Sequence, residues 1–319
     1  MPPRKNYGNW SIDSTTYDFA ESYNEGLAFI ERGYRQSFID LNGKVAIRHS
    51  SKRHLEPKCC CGRVMFSTQK GTGFLDRNGN VVVKPKPLEM ENFSNGRSIV
   101  SDGDKYGIIG LNGEFVVPLK YDYIDNFSDG LACFSKNGNL GYLDINGNVV
   151  INPVYSNVSS FREGLAKAQL PNKKHTIIDT SGKKIFPAGK YKSIKLFSEG
   201  LLAVKYKSLW GFLDRFGEVA IAPSFRKVRG FREGLAAVQS DNLKWGFIDT
   251  KGKQIIDFVF ADACSFSEGL AVVREMHTWG YINKSGNFII EPQFMEASDI
   301  SEGFSVVTVY SGMRFVKFM

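Results

Sequence analysis

Four residues in one short stretch carry side chains that a zinc ion would take: His49, His54, Cys59 and Cys61. Zinc asks for four nitrogen or sulfur ligands, usually delivered as two closely spaced pairs. His49 and His54 stand five positions apart, which suits half of such a site. The cysteines fit the other half poorly. Cys59, Cys60 and Cys61 are adjacent, so an extended run points them to alternate faces. The plainer expectation is that they fill a strand as small apolar residues, and no cofactor is expected. A second series is carboxylate: Asp40, Asp76, Asp144, Asp179, Asp214 and Asp249. Carboxylates can do acid–base work. Each of these, however, precedes x-x-Gly, where an Asp side chain accepts backbone N–H groups inside a turn. The histidines, His49, His54, His175 and His277, sit in no His-Glu-x-x-His motif, and no Gly-x-Ser-x-Gly elbow is present. Enzymatic activity is therefore not expected.

Charge is the more informative signal. The chain carries a formal net charge of +8, but unevenly. Residues 173–232 hold fourteen Lys and Arg against four acidic residues. The candidate binding residues in this sector are Lys183, Lys184, Lys190, Lys192, Lys195, Lys205, Lys207, Arg226, Lys227, Arg229 and Arg232. Acidic residues gather on both flanks, among them Asp122, Asp125 and Asp129 before the sector and Asp257, Asp262 and Glu268 after it. A basic sector between acidic ones can steer an acidic partner. The alternative is a solvated surface that only aids solubility.

These residues sit in a chain that repeats itself. An aromatic, two loop residues and a glycine, usually followed by Leu-Ala, recur as FSDGLA, FREGLA and FSEGLA. The landmark glycines are Gly26, Gly62, Gly96, Gly130, Gly164, Gly200, Gly234, Gly269 and Gly303, each 34–36 residues after the last. A second landmark reads WGFLDRFG, WGFIDTKG and WGYINKSG, placing Trp210, Trp245 and Trp279 before Gly211, Gly246 and Gly280. A third is a β-branched run ending near proline and an aromatic, as in VVINPVY. Short runs rich in aromatic and β-branched residues read as strands, and Asp-x-x-Gly between two of them reads as a hairpin turn. The proline ends the third strand, because it cannot donate to a ladder. Tyr155, Val158 and Phe161, spaced by three, predict a short 3₁₀ or turn-like connection. The recurring Glu25, Glu163, Glu199, Glu233, Glu268 and Glu302 are expected to form a structural ladder. The tryptophans are expected to stack as a column between repeats.

At WGFLD, WGFID and WGYIN, with FSEGLA and Gly-x-x-x-x-Pro-x-Phe around them, the chain resembles the WG-repeat family. The resemblance runs from about Trp10 to Met319. Leu140 and Thr72 depart from the tryptophan, Gly110 from the turn aspartate, and residues 48–58 from the proline-aromatic segment. The resemblance implies a β-rich, mostly bacterial scaffold with no catalytic residues. The expected fold is all-β: about nine three-stranded antiparallel units forming one array over residues 1–319. One unit is too small to bury a core alone, so each covers its neighbour's apolar face. The segment starting at Trp10 reads as a third strand, and the last repeat stops after a second. The two ends therefore complement each other. An open, curved solenoid is the favoured arrangement and a closed, propeller-like ring the alternative.

The expected function is a non-enzymatic protein-binding scaffold, with an antagonist of a toxin or enzyme as one concrete form and a partner of acidic surface. Nucleic-acid binding through residues 173–232 and glycan binding by exposed aromatics are the alternatives. No apolar run approaches the roughly 18 residues of a membrane span. The opening residues lack the apolar core of a secretory signal, and the five cysteines form no paired framework. A cytoplasmic location is expected.

Overall fold

The computed structural model describes residues 10–48, 50–189 and 191–318. Among these there is no helix. The strands form nine four-stranded antiparallel sheets, each ordered along the chain except the last. The architecture is a nine-bladed β-propeller. The strands of a blade are called a to d in chain order.

The seventh blade shows how the repeat folds. Its strands are Lys227–Val228, Leu235–Gln239, Trp245–Asp249 and Gln254–Phe260. The b strand is buried throughout, because a blade packs on either side of it, so Leu235–Val238 are aliphatic and only Gln239, at its end, is polar. The d strand alternates exposed and buried positions toward its end. Between a and b, Glu233 and Gly234 both take positive φ, 55° and 85°. Arg232 and Leu235 exchange two backbone hydrogen bonds around them, of 2.9 and 3.1 Å. That is a two-residue hairpin of the type that requires positive φ at both centres. The same geometry recurs at Gly164, Gly200, Gly269 and Gly303, with φ of 76° to 81°.

The glycine after the tryptophan has a different cause. The register slips across Gly246, between Trp245 and Phe247, where the d strand bulges, and again between Phe247 and Ile248. A Cβ there would lie 2.6 Å from the Ile256 carbonyl oxygen. Gly211 and Gly280 face the same approach, 2.5 Å from the carbonyls of Ile221 and Ile290. The motif's glycine and its later proline are thus two sides of one bulge. The fifth blade tests this account. Thr176 stands at the glycine position, and there Thr176 pairs with Pro187 and Ile177 with Phe186 in unbroken register, the one shift coming after Ile177.

Two expectations are corrected. The unit is four-stranded, not three-stranded. The segment read as 3₁₀ is a short a strand such as Asn157–Val158, paired to Gln169 and Ala168. Tyr155, Val158 and Phe161 lie in the d strand, the a strand and the connection, so their spacing reflects no helical turn. The array is also closed, not an open solenoid. Trp10–Ile12 supplies the fourth strand of the ninth sheet, pairing Trp10 with Phe318 and Ile12 with Val316. An open array would leave that row of backbone groups as an unpaired edge.

The chain divides into two compact units, one of Asn24–Phe29 and Tyr34–Lys190, the other of Met1–Tyr23, Ile30–Gly33 and Tyr191–Met319. In each, the core lies between blades. In the first unit, Phe74 packs on Phe93 at 4.7 Å and Tyr142 on Phe161 at 4.6 Å. In the second, Phe212 packs on Phe231 and Phe247 on Phe266, both at 4.9 Å. Phe315 of the ninth blade meets Tyr23 at 5.1 Å in the same role. Each pair joins a c strand to the aromatic landmark of the next blade. The expected tryptophan column is absent among the described residues. Phe212 and Phe247, two places after Trp210 and Trp245, make the interblade ring contact instead.

Candidate functional site

The carboxylates serve the scaffold. Glu25 accepts the N–H groups of Cys61 and Gly62 at 2.8 and 2.6 Å. Asp129 accepts Gly164 N–H, Glu199 accepts Gly234 N–H, and Glu233 accepts Gly269 N–H. Glu268 takes the N–H groups of both Glu302 and Gly303, at 2.6 and 2.9 Å. Each carboxylate thus caps the next blade's turn. The turn aspartates cap their own loops: Asp249 Oδ1 accepts Lys251 and Lys253 N–H at 2.9 and 2.8 Å. Hydrogen bonds from the Ser181 hydroxyl and from backbone N–H groups hold the Asp179 carboxyl below its ordinary value.

Of the zinc-like residues, the two cysteines are engaged in the scaffold. Cys59 is buried and its thiol, 3.6 Å from Glu25, is pushed up to about 12, first by burial and then by that carboxylate. Cys61 stands at a ladder position, and its Sγ accepts Gly96 N–H at 3.4 Å. His54 is exposed on the second blade, and His49 lies outside the described residues. Among the described residues no group of three or more His, Cys, Asp or Glu is placed to hold a metal. His175, in the tryptophan position, has a buried Nδ1 with no partner among the described residues.

The basic sector does not stay together. Within a blade, the b–c hairpin tips and the d-to-a links fall on one edge, and the a–b and c–d turns on the other. Lys183 and Lys184 belong to the unit containing Tyr34–Lys190, at and just after a c–d turn. Lys190 lies outside the described residues. The remaining eight lie in the other unit. Arg232 sits in an a–b turn, on the edge away from the tips. Lys195 and Arg229 bridge blades. Lys195 Nζ donates to Val228 O and Arg229 Nε to Ala263 O, both at 2.6 Å. Burial, and then the Arg229 charge, push the Lys195 ammonium below its ordinary value. Lys195 and Lys205 cover the Trp210 ring at 5.1 and 5.8 Å, Arg229 covers Trp245 at 5.4 Å, and Arg274 covers Trp279 at 5.5 Å. These cations brace the motif tryptophans.

Lys192, Lys207, Arg226 and Lys227 are what the fold leaves exposed at the tip edge. Arg226, Lys227, Leu209, Gln239, Asp241 and Leu243 line a depression of about 510 Å³ between the sixth and seventh blades. Arg226 pairs with Asp241 across it at 3.3 Å.

The same edge carries side chains that sequence reasoning missed. Tyr206, Leu243, Met276 and Tyr310 stand at the tips of blades six, seven, eight and nine, 44%, 58%, 84% and 100% exposed. Leu243 and Met276 hold φ of 66° and 47°. Bulky residues are rarely placed there. The fourth blade meets the same need with Asn137 and Gly138. The fifth and sixth blades place Lys173 and Lys207 there. The signal available in sequence was a large apolar residue at a tip where these repeats use Asn-Gly or lysine.

A family model described as WG containing repeat matches seven consecutive segments: 73–106, 106–139, 141–174, 176–210, 210–243, 245–275 and 279–310. The chain belongs to the WG-repeat family. A WG repeat is offset from a blade: the segment 245–275 starts on the c strand of the seventh blade and ends on the b strand of the eighth. That offset is why Trp10–Ile12 completes the last sheet. No curated protein sequence matches this WG-repeat chain. Among solved structures it is similar to the crystal structure of a eukaryotic initiation factor, at 9% identity and a TM-score of 0.63, over 92% of this chain and 90% of that one. It is also similar to BamB from Moraxella catarrhalis, at 11% identity and a TM-score of 0.46, over 86% and 96%. The C-terminal WD40 domain of Sif2 matches at 9% identity and a TM-score of 0.44, over 97% and 98%. The likeness to the initiation factor shows the fold alone.

Proposed function

We propose that this protein is a non-enzymatic binding scaffold whose protein partner docks on the hairpin tips of blades six to nine. The observation that carries the reading is the placement of Leu243 and Met276. Each holds a left-handed backbone that costs about 1 kcal/mol for an L-residue, and each leaves most of its side chain in water. Neither choice helps the folded chain alone. Both make sense when a partner covers them, because burial of such side chains drives association. Tyr206 and Tyr310 extend the patch to either side, and aromatic residues are favoured anchors at interfaces.

Lys192, Lys207, Arg226 and Lys227 lie toward blades six and seven, so the partner presents apolar side chains beside acidic ones. Charge of this kind speeds encounter and fixes orientation more than it adds affinity. A partner held in this way has part of its own surface covered, which is the physical basis of an antagonist. The apolar tips favour protein over nucleic acid, whose phosphates gain nothing from Leu243 or Met276.

The test compares capture by the unaltered chain with capture by a Leu243→Asn/Met276→Asn double variant. One stoichiometric protein held by the first and lost by the second, at equal melting temperature, is the expected result. A partner retained equally by both overturns the docking face. Capture of nucleic acid alone, released by moderate salt, overturns the reading as a whole.

A further inference from the structure

The join between the first and second blades breaks the repeat. Where other blades run through proline and an aromatic into the a strand, residues 48–58 read RHSSKRHLEPK. The a strand that follows, His54–Cys60, is seven residues long in place of the usual two. This substituted link and the second blade's own b–c tip enclose a depression of about 600 Å³.

Three cations line it: Lys52 and Arg53 from the link and Lys70 from the tip. Turn hydrogen bonds hold both loops. Arg53 N–H donates to Ser50 O at 3.0 Å, and Lys70 N–H donates to Thr68 Oγ1 at 3.1 Å. The Arg53 guanidinium lies 5.1 Å from the Phe66 ring centre, which restricts its orientation. No carboxylate lines the depression. Among the described residues none of the three cations is in an ion pair. The depression between blades six and seven differs here, since Arg226 already has Asp241. Val81 and Pro85 give the second-blade site an apolar wall.

Three uncompensated cations close together repel one another, and an anion of matching charge relieves them. A single carboxylate supplies one negative charge. A phosphate monoester supplies about 1.5 to 2, with oxygens that match the guanidinium fork. The volume falls in the range of small-molecule sites, about 300–1,000 Å³. We propose that this depression binds a small, soluble phosphate ester, with its phosphates against Lys52, Arg53 and Lys70 and an apolar body against Val81 and Pro85. The site shares no residue with the tips of blades six to nine, and its test does not depend on them.

Calorimetric titration of the full chain with adenosine diphosphate and with inorganic pyrophosphate tests the assignment. Both should bind, the nucleotide more tightly because it also covers the apolar wall. Lys52→Gln/Lys70→Gln, two exposed positions that folding does not need, should weaken both by about tenfold or more. Arg53→Gln should do the same, and Arg226→Gln/Lys227→Gln should leave both unchanged. Melting curves check that each variant folds. No heat with either probe at millimolar concentration would overturn the assignment. So would equal loss in the Arg226/Lys227 variant, or binding only to phosphatidic acid vesicles or only to long single-stranded DNA.

Discussion

Leu243 and Met276 are where a residue's own preference and its position disagree. Asn tolerates positive φ because its short side chain hydrogen-bonds locally. Leu243→Asn and Met276→Asn should therefore hold or raise the melting temperature while partner capture is lost. A fall of several degrees in calorimetry would show that these side chains support the fold. Gly246 is the opposite case, a residue the fold cannot exchange. A Cβ at 2.6 Å from the Ile256 carbonyl pushes the bulge of the d strand away. Gly246→Ala should cost about 1–3 kcal/mol in denaturant unfolding. The Trp-Gly pair itself was legible in sequence. Its cause was not, because the clash involves a strand ten residues further on. The exposed tips were unread for a related reason: whether a leucine faces water depends on hairpin length and on the neighbouring blade, and neither is a local property.

Between elements, the carboxylate ladder links one blade's turn to the next. The sequence showed the periodic Glu-Gly and suggested its structural use. The partner blade came from the tertiary arrangement. Glu268→Ala removes the acceptor of two N–H groups and should cost about 1 kcal/mol in thermal unfolding, with Glu268→Gln in between. The groups are exposed, so the effect should be modest. The turn aspartates add a pH dependence. The Asp179 carboxyl is held below its ordinary value in the folded chain. Its stabilisation is therefore complete above the ordinary carboxylate range, near 4, and is lost as pH falls through the folded value. The melting-temperature gap between the unaltered chain and Asp179→Asn should shrink as pH drops below about 4. A gap that is constant with pH would mean that the ionised form gives no special support. The a strands were missed at this scale. Two residues such as Asn157–Val158 carry no alternation that a sequence can display, and they become strand only because the following b strand offers them a ladder.

For the whole molecule, the ninth sheet depends on Trp10–Ile12. Removing residues through Ile12 should lower the melting temperature and abolish amide-exchange protection along Gly312–Phe318, read by mass spectrometry. Protection that survives would mean that the c strand needs no fourth neighbour. The same interblade contacts serve at the closure as elsewhere: Phe315 meets Tyr23, and Ser301 Oγ donates to Tyr23 O at 2.6 Å. The sequence by itself determined the all-β class, the period, the turn glycines and the complementarity of the two chain ends. These follow from local backbone demands and from the need of each unit to bury its apolar face. Only the tertiary structure decided that the ends pair, that cations of the basic sector brace tryptophans, and that Leu243 and Met276 remain uncovered. Those outcomes depend on which distant residues meet, and a periodic sequence specifies the local contacts of each repeat without fixing how the last repeat joins the first.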